Sequence, residues 1–177
     1  LEAVKEELNL PLREGMVIET DDRYLFTHDR FHQAVYSLLG QNERERTHLG
    51  IGRILLLHLT EEQLSQRIFE IVEHFNVSLS LVDQKAEREQ IARLNLSAGI
   101  EAKHANALSV AIEHFVLASE LVEDDVWQWD YEFAKTLFEN RAELLMLSAD
   151  FEAAKQDIDA LLEHLHSTID KFQAYEI

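Results

Sequence analysis

With 177 residues and 46% hydrophobic content, the chain is long enough to bury a substantial core and is not a disordered tail. It has no cysteine, which excludes a disulfide framework, a thiolate metal site and a cysteine nucleophile. Lys and Arg total 16 against 34 Asp and Glu, and the resulting charge of −18 repels nucleic-acid phosphates.

Five glycines and one proline are too little turn punctuation for an all-β sandwich, so the predicted fold class is mainly α. No apolar run approaches the ~18 residues of a membrane span, and no cationic-then-apolar leader opens the chain. A cytoplasmic location without membrane insertion is therefore expected. Leu1 opens on helix-like text, as in a segment of a larger protein.

In chain order, Leu1, Val4 and Leu8 share a helical face that should end before Pro11. Glu14-Gly15-Met16-Val17-Ile18, Thr20-Asp21-Asp22 and Arg23-Tyr24-Leu25-Phe26 read as strand, turn and strand, a hairpin over about 15–26. Thr27 is the expected N-cap of a helix whose apolar stripe is Phe31, Ala34, Val35 and Leu38, broken at Gly40. A helix over about Glu43 to Leu59 offers Leu49, Ile54, Leu56 and Leu57 to the core. Thr60-Glu61-Glu62 opens another, with Leu64, Ile68, Val72 and Phe75 on one face. An apolar linker from Val77 to Val82 separates these connecting helices, residues 41–82, from the second half, residues 83–177.

There, Arg88 to His104 and Ala107 to Val122 form a pair turning at Ala105-Asn106. After a break at Glu123-Asp124-Asp125, a long helix runs through Trp127, Trp129, Tyr131, Phe133, Leu137 and Leu144. Ala134 to Leu147 and Phe151 to His164 form a second pair turning at Ser148-Ala149-Asp150. Short turns make antiparallel helix hairpins. The pairs also align internally: Gly99, Asn106-Ala107-Leu108, Ala111, Phe115 and Ala118 match Ala142, Ala149-Asp150-Phe151, Ala154, Ile158 and Leu161. The alternation of small and large residues at these offsets resembles the tetratricopeptide repeat, which implies helix pairs stacked in a right-handed superhelix. The anchors Ala111 and Ala154 lie 43 residues apart instead of ~34, so the Trp-rich stretch lengthens the unit.

A second resemblance rests on Phe26-Thr27-His28-Asp29-Arg30-Phe31-His32-Gln33-Ala34-Val35-Tyr36-Ser37-Leu38-Leu39, preceded by the Glu14 to Ile18 strand. Further signposts are Arg46-Thr47-His48-Leu49-Gly50-Ile51-Gly52-Arg53, Ile68-Phe69-Glu70-Ile71-Val72, and Leu94-Asn95-Leu96-Ser97-Ala98-Gly99 with Lys103. Most of residues 14–122 resembles the segment after the ATPase core in bacterial AAA/STAND-type signalling proteins, often fused to serine/threonine kinase, GAF and histidine kinase domains. The resemblance implies that residues 1–40 end a winged-helix-like unit with the hairpin as its wing, and that ATP binds upstream in the parent. No Gly-x4-Gly-Lys-[Ser/Thr] loop is present here, so no cofactor and no catalytic residue is assigned to this chain.

His28 and His32 stand four apart and could begin a metal site, but no third ligand is placed. His28, Asp29, Arg30, Gln33 and Tyr36 read instead as structural, with His28-Asp29 holding hairpin to helix; Gly99, Ala111 and Phe115 are structural for the repeat. His164 and His166 point to different helix faces. The acid pairs Glu61-Glu62, Asp124-Asp125 and Asp157-Asp159 read as solvated. Trp127, Trp129, Tyr131 and Phe133 are either core or a partner groove, and are the candidate partner-binding residues. The wing hint raises DNA binding, against which Glu2, Glu6 and Glu7 outnumber Lys5. The expectation is a non-catalytic interaction and signal-transmission module, contacting proteins or neighbouring domains; the alternative is a free-standing helical-repeat adaptor.

Overall fold

The computed structural model describes residues 7–20, 23–122 and 126–176, and the chain divides into two compact units, Leu1–Thr47 and His48–Ile177. In the first unit, Glu7 is helical and Leu8 is a turn, which ends the preceding helix before Pro11 as expected; Pro11 itself belongs to a separate short helix, α1 (Asn9–Arg13). Pro11 falls in the first turn, where an N–H has no intrahelical partner to lose. The expected stripe residues Leu1 and Val4 lie outside the described residues. The helix closes at Gly15, whose φ of 68° is left-handed, with the Met16 amide donating to the Pro11 carbonyl at 2.9 Å. Glu14 and Gly15, expected in the first strand, are thus the helix cap.

Strands β1 (Val17–Thr20) and β2 (Arg23–Phe26) pair antiparallel, Val17 opposite Phe26 and Thr20 opposite Arg23. The expected turn residues Asp21 and Asp22 lie outside the described residues. The Tyr24 hydroxyl donates to the Glu19 carboxylate of the facing strand at 3.1 Å. Thr27 is not the N-cap: its hydroxyl donates to the Gly15 carbonyl at 2.8 Å and ties the hairpin to the end of α1. The extended His28 precedes α2 (Asp29–Leu38). The apolar stripe on α2 exists but is not covered; no residue of α2 is buried, and Leu38 is 83% exposed.

The division between the units falls within α3 (Gln41–His58). Leu49 and Gly52 are buried, whereas Ile54 and Leu57, both expected in the core, face outward, Leu57 78% exposed. The Phe75 ring explains this, because it lies where a Cβ on Gly52 would be 3.0 Å away and so selects the Leu49–Gly52 face. Thr60 and Gln63 close a reciprocal capping box at α4 (Glu61–Gln66). The single helix expected beyond it is interrupted at Arg67, where φ is −115° and ψ 21°, and resumes as α5 (Ile68–Val77). The linker contains a 3-10 turn, Leu79–Leu81.

Two helix hairpins follow, α6 (Lys85–His104) with α7 (Leu108–Glu120), and α9 (Tyr131–Leu147) with α10 (Phe151–His164). Between them is the short α8 (Val126–Trp129), and α11 (Thr168–Glu176) comes last. The expected continuous helix through Trp127 to Leu144 is broken at Asp130, whose backbone is extended and whose carboxylate accepts the Phe133 amide at 3.1 Å to cap α9. The Glu123-Asp124-Asp125 break lies outside the described residues.

The two hairpin turns repeat bond for bond. Asn106 and Ala149 have φ of 59° and 60°. Ala107 N–H donates to Ala102 O at 2.8 Å, and Asp150 N–H to Leu145 O at 2.9 Å. Gly99 and Ala142, and Ala111 and Ala154, are buried at equivalent places. A Cβ on Gly99 would lie 2.4 Å from the Phe115 ring, so glycine here allows α6 and α7 to approach closely. Ile71, Phe75, Ile91, Phe115, Leu137 and Leu144 are fully buried in one core. The fold is mainly helical with one hairpin, and among the described residues no helix is long and apolar enough to cross a membrane.

Candidate interaction site

The four candidate aromatic residues sit on α8 and the first turn of α9, and they alternate between two surroundings. Trp127 stacks on His164 with centroids 4.7 Å apart and planes 5° apart, and it also meets Phe138 at 5.3 Å. Tyr131 stacks on His166 at 5.2 Å. Trp129 instead meets Phe133 edge-on at 5.3 Å, and the Arg93 guanidinium lies 4.3 Å over its ring. Phe133 is buried; the other three are half-buried, each with an exposed edge. The cluster therefore joins α8 to the end of α10 on one side and to α6 on the other. His164 and His166 each cover an aromatic ring, but the helix ends at His164 and His166 lies beyond it, so the expected helical-face separation does not apply.

Asp130 connects these contacts. It caps α9 and receives Arg93 at 2.9 Å, which holds that guanidinium over Trp129. Burial acts to raise its pKa, but the Phe133 amide and Arg93 overcome this and hold the carboxyl below the usual range.

A polar network that the sequence did not single out as a site links α5, α6 and α7. Asn95 is fully buried; its amide donates to Asn76 Oδ1 at 2.9 Å and accepts from Asn76 Nδ2 at 3.0 Å. His114 Nδ1 lies 2.9 Å from Asn95 Oδ1, and since that oxygen only accepts, Nδ1 carries the proton. Nearby on α5, His74 Nδ1 is 2.9 Å from His48 Nδ1 of α3. Burial, and then the neighbouring His48, lowers the His74 pKa; burial lowers that of His114. The signal in the sequence is one amide, Asn95, four residues from both Ile91 and Gly99 on the buried face of α6.

The other singled-out residues are dispersed. His28, Asp29, Arg30 and Gln33 are exposed, and Tyr36 is half-buried under the Arg44 guanidinium at 5.2 Å. The ring contact between hairpin and α2 is made by His32 with Phe26 at 5.5 Å, while the His28 ring lies beside Phe31 at 6.0 Å. Gly99, Ala111 and Phe115 meet at the α6/α7 approach. Glu61 and Glu62 are exposed in the first turn of α4, and Asp124 and Asp125 lie outside the described residues. Asp157, expected to be solvated, is a correction: it is buried and holds Arg141 of α9 through two bonds of 2.7 and 2.5 Å. Its companion Asp159 pairs with Lys155 on the surface. Among the described residues, no three His, Asp or Glu converge as metal ligands.

With this geometry established, comparison with known proteins gives one relative to report. The chain is 28% identical over 165 residues to the hybrid signal transduction histidine kinase G of Dictyostelium discoideum. The match takes in 80% of this chain and 5% of that protein, so the chain spans a small part of its relative's length. No protein-family profile matches the chain, and no solved structure does. The similarity is to a signal-transduction protein, over a segment that here folds into helix hairpins.

Proposed function

We propose that the chain is a non-catalytic module for protein contact and signal transmission within a larger multidomain sensor kinase with a STAND-type ATPase core. The observation that carries this is the match of most of the chain to a twentieth of a hybrid histidine kinase. Helix hairpins joined by equivalent turns support it, because stacked tetratricopeptide-like pairs transmit displacement along the stack and offer faces to partners. In this reading residues 1–40 end a winged-helix-like unit, ATP binds to upstream residues of the parent, and the exposed edges of Trp127, Trp129 and Tyr131 meet a neighbouring domain. The setting is cytoplasmic.

The reading frame around this segment tests the proposal. A phosphate-binding loop upstream together with histidine kinase motifs in the same frame is the expected finding. A frame that starts near Leu1 and stops after Ile177 would replace it with a free-standing helical adaptor. The purified chain is also expected to release no phosphate from ATP, and turnover that resists further purification would overturn the non-catalytic assignment.

A further inference from the structure

A groove of about 340 Å³ runs between α4/α5 and α6. Leu64 and Ile68 form one wall, Leu94 and Ile100 the other, and Glu61 and Glu101 lie one on each bank. Ser65 and Ser97 lie beside these four aliphatic residues, whose strip gains from burying aliphatic side chains. The volume suits a few side chains and lies at the low end of the ~300–1,000 Å³ of ligand sites.

The charges around the groove are of one sign once existing pairs are removed. Arg67 is held by Glu70 at 2.6 Å, Arg93 by Asp130 at 2.9 Å and Lys103 by Glu143 at 2.6 Å. Among the described residues, Glu61 and Glu101 are in no ion pair. A chain with a net charge of −18 thus presents an apolar slot between two unanswered carboxylates. An acidic partner would meet repulsion on both banks, and an apolar one would leave the carboxylates without a counterion.

We propose that this groove docks a basic amphipathic segment of a partner protein. Its apolar side chains seat between Leu64, Ile68, Leu94 and Ile100, and its Lys or Arg residues reach Glu61 and Glu101. Apolar anchors at helical spacing with flanking cations supply both requirements at once. The proposal rests on the interaction-module reading and names the class of partner.

The test titrates the 177-residue chain into a fluorescein-labelled Leu/Lys peptide whose leucines fall on one helical face, with anisotropy as the readout. A peptide of the same composition in scrambled order carries the same charge without the apolar face. Tighter binding of the ordered peptide is expected, with amide shifts centred on Leu94, Ser97 and Ile100. Replacing both carboxylates, Glu61→Gln with Glu101→Gln, should weaken binding roughly tenfold, and Ser97→Arg should block the slot. The double Gln variant keeps side-chain size at exposed positions and so serves even if Ser97→Arg disturbs the fold. Equal affinity for the scrambled peptide, or for the double Gln variant, would overturn the proposal and leave only general attraction to an acidic surface. The reading frame is a separate measurement: a kinase-bearing parent would survive failure of the groove, and groove binding would survive a frame without a kinase.

Discussion

Gly99 is where a single hydrogen in place of a methyl decides how closely two helices pack. Alanine would gain ~1 kcal/mol of helix propensity, but its Cβ would fall 2.4 Å from a fully buried ring that has no room to retreat. Gly99→Ala should therefore destabilise by about 1–3 kcal/mol, the range of overpacked cores. Urea denaturation checks this, and Phe115→Leu in the same chain should recover part of the loss. Gly50, on the same residue type but with nothing within 4 Å of its Cβ, gives the opposite sign and should gain stability as alanine. The spacing of Gly99 and Phe115 was legible as small and large partners because both belong to one hairpin. Gly52 and Phe75 make a comparable contact across a longer stretch of sequence, where no local pattern marks them as neighbours.

At the scale of elements, the hairpin turns depend on backbone sign. Asn tolerates the left-handed region at Asn106, whereas Ala149 occupies it at a cost of about 1–2 kcal/mol. Ala149→Gly should raise the thermal midpoint, while Asn106→Gly should change it little; an equal response at both turns would contradict the argument. The α9/α10 hairpin is also held by Asp157 and Arg141, both largely withdrawn from water. Asp157→Ala leaves the guanidinium without its partner and should cost about 2–4 kcal/mol, less than a fully buried pair because Arg141 keeps some solvent contact. Asp159→Ala, on an exposed pair, should leave the denaturation midpoint almost unchanged. The two aspartates are two residues apart, and helix geometry places them on different faces. Only the position of α9 makes one face buried.

Across the second unit as a whole, the histidines couple stability to pH. His74 and His114 have folded pKa values below the ordinary ~6.5, the first through burial and His48, the second through burial. Glu70 and Glu73 oppose the shift at His74 and Glu113 opposes it at His114, without reversing either. Below ~6.5 the unfolded chain binds these protons more readily, so the contribution to stability is complete above that pH and is lost as pH falls through the lower folded values. The wild-type chain should lose more thermal stability between about pH 7.5 and about pH 5.5 than a His74→Gln/His114→Gln variant. Equal slopes would contradict the linkage, and the comparison removes the shared effect of neutralising carboxylates.

Read without its structure, the sequence determined the helical class, the hairpin, the two short turns and the small-to-large alignment of the pairs. Each depends on residues within a few positions or within one hairpin, where φ preference and 3.6-residue periodicity act directly. Periodicity names an apolar face but says nothing of what covers it. Tertiary structure alone decided that Val35, Leu38, Ile54 and Leu57 stay exposed, that Asp157 is buried, and that Asn76, Asn95 and His114 meet. It likewise sorted the aromatic residues alternately, sending Trp127 and Tyr131 to His164 at the end of α10 and His166 beyond it, and Trp129 to Arg93 of α6. These outcomes follow from which helix faces meet, and that is set by contacts between residues far apart in the chain.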